Sequence, residues 1–222
     1  MPTITKMNRG FTLIEFLISI AIVSVILTVV VSSQSTYNDE AALVNLADEI
    51  SSTVSQAQAY GTGVREFSPA SGEFSASYGL TFSLLGSGSN TAYLSFADRA
   101  IGGAVGNKIY DGDWSCSIGG ASECLGKVDI SRGNYIEGIC VVRTSGLDLC
   151  FASRVDISFA RPSTEAQLLF FDSLGGPLAP WLLLNMKGVR IVLRSPSGLT
   201  RSVVVYTTGQ VSVQTTGMTI TS

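Results

Sequence analysis

The chain has 222 residues, with 14 lysines and arginines against 17 aspartates and glutamates, and a net charge of −3. This length accommodates one membrane helix and one domain of about 150 residues with its own core. The acidic balance argues against general binding to a polyanion, because nonspecific DNA affinity comes from basic side chains. Histidine is absent, which excludes Ser–His and Cys–His catalytic pairs. We therefore expect a protein that is not an enzyme and uses no cofactor.

The N-terminus joins a short basic leader to a long apolar run. Lys6 and Arg9 precede Gly10, and residues 11–31 contain one charge, Glu15. About 20 apolar residues cross about 30 Å of hydrocarbon, so this run predicts a membrane helix. Basic residues before the span predict a cytoplasmic N-terminus, with the rest of the chain on the other side of the inner membrane.

This N-terminus closely resembles the type IV prepilin class, in which a membrane peptidase cleaves after the glycine and methylates the new terminal amine. The resemblance implies cleavage between Gly10 and Phe11 and methylation of Phe11. It also implies that Glu15 pairs with the terminal amine of a neighbouring subunit, since a charge inside an apolar bundle needs a partner. The implied partners are the prepilin peptidase/methyltransferase, other pilins or pseudopilins, the membrane, and an inner-membrane assembly platform with its ATPase.

Two simpler explanations remain open at this point. An ordinary secretory signal has an apolar region of roughly 7–15 residues followed by its cleavage site, whereas here the run is longer and the glycine precedes it. A plain signal anchor has no need of Glu15, but a tolerated charge that snorkels to the membrane face would explain it without a partner.

The apolar pattern becomes amphipathic after residue 31. Apolar residues recur at steps of three and four, which marks one helix face: Leu43, Leu46, Ile50, Val54 and Ala57. Polar residues occupy the other face: Asn45, Asp48, Glu49, Ser52 and Gln56. Gly61 and Gly63 provide a stop signal. We expect one helix from about Thr12 to Tyr60.

After Pro69 the period changes to two, which predicts strands at Phe74–Ser83, Ala92–Phe96, Tyr135–Arg143, Leu149–Phe159, Gln167–Phe171, Val189–Arg194, Ser202–Thr207 and Gln210–Gln214. Residues 98–133 predict an extended loop. The predicted fold class is α+β, with one long N-terminal helix followed by a β domain. The expected organisation is a leader at 1–10, a transmembrane or filament-core helix at 11–31, an amphipathic continuation at 32–62, and an extracytoplasmic β domain at 63–222.

Short segments of the β domain resemble minor pseudopilins of the GspH/FimT type, namely 78–82, 94–98, 110–113 and the ending 195–213. This resemblance implies that the long N-terminal helix packs on an antiparallel β-sandwich-like domain. It also implies a structural minor subunit of a type II secretion pseudopilus or a type IV pilus. A major, filament-forming pilin is an alternative.

The four cysteines are Cys116, Cys124, Cys140 and Cys150. An even number outside the cytoplasm predicts two disulfides, for which three pairings exist. We favour Cys116–Cys124 and Cys140–Cys150, because each pair brackets a turn-rich segment. In the second pair, a three-residue turn at Thr144–Gly146 would place the cysteines opposite each other. A zinc site is a weak alternative without histidine or a Cys-x-x-Cys pair.

Two further groups of residues are candidates for binding. Asp98, Asp111 and Asp113 offer oxygen ligands for calcium, but we favour turn chemistry as the explanation of these residues and expect no metal. The three arginines of the last strands, Arg190, Arg194 and Arg201, would serve a DNA-binding minor pilin for DNA uptake, or simply form a solvated strand face. The acidity of the chain makes nucleic acid an unexpected partner.

Overall fold

The computed structural model describes residues 11–63, 66–67, 74, 76–99, 106–117 and 122–215. The predicted leader, 1–10, lies outside the described residues. The chain divides into two units, with the boundary between Asn38 and Asp39.

The described part of the first unit is helical from Leu13 onward. Helix α1 runs from Leu13 to Thr62, close to the predicted Thr12–Tyr60. Its segment Leu13–Val31 is long and apolar enough to cross a membrane, and none of it is buried by the described chain. Glu15 is the one charged residue of this segment, as expected of a membrane span, in which charges are costly.

The part of α1 that belongs to the second unit packs into that unit's core. All five residues predicted for its apolar face are buried, and all five predicted polar positions are exposed. The helix ends where expected, with the Gly63 amide donating to the Ala59 carbonyl at 3.0 Å. A Cβ at Gly61 would collide with the backbone of Phe159, so glycine allows this close approach of helix and strand.

The second unit contains two five-stranded antiparallel sheets, which confirms the α+β fold class. The first sheet has the order β3-β2-β1-β6-β7 and the second has β10-β9-β8-β4-β5. The strands are β1 (Ser77–Ser83), β2 (Ala92–Asp98), β3 (Cys124–Asp129), β4 (Tyr135–Arg143), β5 (Leu149–Ala152), β6 (Arg154–Phe159), β7 (Ala166–Phe171), β8 (Met186–Arg194), β9 (Thr200–Tyr206) and β10 (Val211–Thr215). A short 3-10 helix occupies Pro180–Leu183.

One main core joins α1 to one face of each sheet. Period-two alternation places Leu80, Phe82 and Ile157 of the first sheet in this core, together with Ile191 and Val203 of the second. A second, smaller cluster lies on the opposite face of the first sheet, formed by Leu94, Phe96, Tyr110 and Cys124.

Three strand predictions were wrong in detail. Residues 98–133 are not one loop, because β3 lies within them and pairs with β2. Strand β3 is short and contains Gly126, so its alternation of apolar and polar residues was too weak to predict a strand. Leu149–Phe159 is two strands in different sheets, and Ser153 connects them. The Ser153 amide donates to the Phe171 carbonyl, and the Ser153 carbonyl accepts from the Leu84 amide. The first strand begins at Ser77 rather than Phe74.

Candidate processing and assembly site

At the start of helix α1, Thr12 and Glu15 make three hydrogen bonds to each other. One carboxylate oxygen of Glu15 accepts from the Thr12 amide at 3.0 Å and from the Thr12 hydroxyl at 2.8 Å. The Glu15 amide donates back to the Thr12 hydroxyl oxygen at 3.3 Å. This is a capping box, in which the residue before the helix and the third helical residue satisfy each other's free amides.

The capping box fixes where the only charge of the apolar segment lies. A carboxylate at a helix N-terminus is favoured by the helix dipole. Here it is hydrogen-bonded to Thr12, the residue that follows Phe11, and Phe11 is 85% exposed. The sequence analysis missed Thr12, although the pattern Thr-x-x-Glu before an apolar run is a known capping signal. Gly10, the predicted cleavage position, lies outside the described residues.

The other hydroxyls of the apolar segment are satisfied within the helix. Ser19, Ser24 and Thr28 each donate to the carbonyl four residues earlier, at 2.7, 2.8 and 2.8 Å. Such bonds let a hydroxyl lie in an apolar environment without a missing partner. Glu15 is therefore the one charged group that the segment presents among its described residues.

Each calcium candidate accepts hydrogen bonds from groups of the chain itself. Asp98 accepts from the amides of Asn107 and Lys108, whereas Asp111 accepts from the side chain of Asn107. Asp113 accepts from Ser115, and these bonds lower its pKa. Across the described residues, no group of three or more acidic or cysteine side chains is placed to hold a metal.

A buried carboxyl that the sequence analysis did not consider lies beside them. Glu123 accepts from the Asp111 amide at 2.9 Å. Burial raises the pKa of Glu123, and the neighbouring charges of Asp98 and Asp111 raise it further. Asp98 and Glu123 are both buried and accept from the backbone amides of residues 107, 108 and 111, which explains their burial in structural terms.

The three arginines do not form one basic patch. Arg190 is paired with Asp148 at 2.7 Å and also donates to Ser202 and Gln214, while Arg194 is paired with Glu137. Arg201 lies opposite Leu193 in the sheet, and Leu193 faces the main core. Since cross-strand partners share a face, Arg201 is on the other side of the sheet from Arg190 and Arg194.

Disulfides join Cys116 to Cys124 and Cys140 to Cys150. The turn predicted within the second pair was wrong in length, because β4 ends at Arg143 and β5 begins at Leu149. The Arg143 guanidinium donates to the Leu147 carbonyl at 2.9 Å and holds the longer loop. Gly146 has a positive φ of 90°, a conformation that favours glycine.

Comparison with known proteins gives one match. Residues 5–31 match the family described as the prokaryotic N-terminal methylation motif. The match supports a type IV prepilin-like protein, a precursor processed by prepilin peptidase and assembled with other pilins. It fits a single-pass, membrane-anchored pilin, and the pilin-motif family is structural rather than catalytic. No curated protein and no solved structure matches the chain.

Proposed function

We propose that the chain is a minor pilin-like subunit of the GspH/FimT type, which assembles into a type II secretion pseudopilus or a type IV pilus. The observation that carries the proposal is the methylation motif over residues 5–31, which includes the helix segment Leu13–Val31 that the described chain leaves uncovered. Prepilin peptidase removes residues 1–10 and methylates Phe11.

In this proposal each part of the chain has a separate task. Residues 11–31 anchor the subunit in the inner membrane and later form the filament core, and residues 32–62 continue the helix. Residues 63–222 lie outside the cytoplasm. The two disulfides support that compartment, because disulfides persist in oxidising surroundings.

Glu15 serves as the pairing group for assembly. In an apolar bundle an unpaired carboxylate is costly, and the amine of a neighbouring Phe11 would neutralise it. A subunit that enters out of register leaves this charge unpaired. At the assembly platform, the free-energy cost of an unpaired Glu15 therefore favours the correct register.

The DNA-uptake alternative loses its structural basis in this geometry. Two of its three arginines are bound to carboxylates, and Arg201 lies on the opposite face of the sheet. Phosphate binding would have to displace Asp148 from Arg190, which is only 15% exposed in its side chain.

The direct test is the N-terminus of the membrane-extracted protein. Intact mass and N-terminal sequencing should show a chain that begins at Phe11 and carries one extra methyl group. Gly10→Val should leave the full precursor in the membrane, because a bulky side chain blocks the subsite for glycine. Gly86→Ala is the matched control, since Gly86 is exposed and a Cβ there meets no atom.

A wild-type chain that begins at any other residue would contradict the proposal. So would normal processing of Gly10→Val, because it would show that the glycine does not define the cleavage site.

A further inference from the structure

Residues 106–117, which we call the strap, lie over the face of the first sheet that points away from the main core. Tyr110 of the strap is 3% exposed and its ring lies 5.7 Å from that of Phe96. Together with Leu94 and Cys124 these residues form the smaller core cluster, against which Trp114 and Cys116 pack. This cluster is separate from the main core, so it can open without it.

The first half of the strap is anchored by buried carboxylates. The Asn107 and Lys108 amides donate to Asp98 of β2 at 3.2 and 2.7 Å. The Tyr110 amide donates to Asp156 of β6 at 3.0 Å, and the Asp111 amide donates to Glu123 at 2.9 Å. Four anchoring bonds to three acidic side chains, donated by the amides of residues 107, 108, 110 and 111, hold this half on the sheet.

The second half, residues 113–117, has a different attachment. Its hydrogen bonds stay inside the strap: Ser115 and Cys116 donate to Asp113, and the Tyr110 hydroxyl donates to the Asp113 carbonyl at 2.6 Å. To the described residues of the sheet it makes no hydrogen bond. It is attached through the disulfide from Cys116 to Cys124 of β3 and through the packing of Trp114.

Two backbone features bear on the second half. Gly112 lies between the two halves, and glycine has the greatest backbone freedom. Cys116 has a positive φ of 56°, which non-glycine residues rarely adopt. The conformation at Cys116 is therefore maintained by its contacts, and the disulfide is the covalent one.

We propose that residues 113–117 are a redox-controlled flap. A dithiol reductant opens the Cys116–Cys124 bond, the flap swings out on Gly112, and the apolar surface of Leu94 and Phe96 becomes accessible while the main core stays folded. The flap provides this exported subunit with a surface whose exposure depends on the thiol state of its surroundings.

The chemistry is ordinary thiol–disulfide exchange. A thiolate of the reductant attacks the sulfur of Cys116, the more exposed residue of the pair, and the Cys124 thiolate leaves and takes up a proton. The second thiol of the reductant then releases Cys116 as a thiol. Two electrons pass to the protein disulfide, and the reductant ends as its own disulfide.

Cys140–Cys150 offers the matched control. Its strands β4 and β5 remain paired by backbone hydrogen bonds, and the Arg190–Asp148 pair holds the intervening loop. Loss of this disulfide therefore leaves its loop attached.

The test uses the full chain in detergent micelles with Trp181→Phe as background. Trp181 is 68% exposed and is one of two tryptophans, so fluorescence then reports Trp114 alone. In Cys116→Ser/Cys124→Ser we expect acrylamide quenching of Trp114 to rise several-fold. The Tyr110 and Asp111 amides should keep their protection from hydrogen exchange. Cys140→Ser/Cys150→Ser should leave Trp114 quenching unchanged.

Unchanged Trp114 quenching in the first variant would overturn the proposal. Loss of Tyr110 and Asp111 protection together with that of β1 would also overturn it, since the flap would then not open separately. If the variants fail to fold, dithiothreitol titration of the oxidised protein decides. A rise in Trp114 quenching before β1 amides exchange supports the flap, and a simultaneous change refutes it.

Discussion

Helix α1 consists of two parts that are covered in different ways. Over Leu13–Val31 apolar side chains occur on every side and none is buried by the described chain. From Leu43 to Ala57 the apolar residues recur every three or four positions and are buried in the unit's own core. A helix that is apolar all round needs a cover from outside, whereas a striped helix is covered by its own domain. The first part is thus built for a membrane or for other subunits.

Hydroxyl groups of both parts bond within the helix, Thr53 and Ser55 of the second part included, and the second part adds a long-range bond to the β domain. In the first part Thr12, Ser19, Ser24 and Thr28 bond within the helix. In the second part Gln58 donates to the Thr164 carbonyl at 3.0 Å, across a long stretch of sequence. This long-range bond ties the second part to the β domain.

The largest expected effect comes from truncating the same residue type in both parts. Ile50 is fully buried, whereas Ile22 is 55% exposed. Ile50→Ala should lower the free energy of unfolding of the β domain by about 2–5 kcal/mol, because it leaves a cavity in a packed core. Ile22→Ala should leave it unchanged. Guanidinium unfolding of the full chain in micelles, followed by near-ultraviolet circular dichroism, measures both. If both variants lost the same free energy of unfolding, the result would contradict the division of α1 into two differently covered parts.

A smaller, pH-dependent effect tests one contact of the second part. Tyr93 is fully buried, and its hydroxyl lies 3.5 Å from the Thr53 hydroxyl of α1. Burial raises the pKa of Tyr93 from its usual value of 10.0 to about 12. Below pH 10 the tyrosine is neutral in both states, so it adds no pH dependence. Between pH 10 and 12 the unfolded chain loses the proton first, and stability falls as pH rises.

Tyr93→Phe should flatten this decline when unfolding is measured between pH 9 and 12. Part of the slope will remain, because burial also raises the pKa of Tyr110 to about 12. A slope that Tyr93→Phe leaves unaltered would show that the hydroxyl is hydrated in the folded state.

The sequence predicted the features that depend on local periodicity. The predicted buried face of α1 was confirmed, because each residue that defines this face has its neighbour three or four positions away. The separation of Arg201 from Arg190 was not predictable, since it depends on the register between β8 and β9. The role of Glu123 was not predictable either, because its partner Asp111 belongs to a segment without a periodic pattern.

At the candidate assembly site the sequence pointed to Glu15 but not to the hydrogen bonds that Glu15 makes with Thr12. The Thr12–Glu15 pair was within reach of sequence analysis, because a capping box is a local pattern. The length of the β4–β5 loop was not, because it depends on how Arg143 and Arg190 hold Leu147 and Asp148.

The central claim is that the charge of Glu15, rather than its capping bonds, serves assembly. Glu15→Gln keeps an oxygen that accepts from Thr12 but loses the charge, whereas Thr12→Ala loses the cap and keeps the charge. Incorporation into sheared filaments or crosslinks to partner subunits should therefore fall strongly in Glu15→Gln and Glu15→Leu and only slightly in Thr12→Ala. All three should be processed and folded. Normal incorporation of Glu15→Gln, with a strong loss in Thr12→Ala, would contradict the claim and make Glu15 a helix cap only.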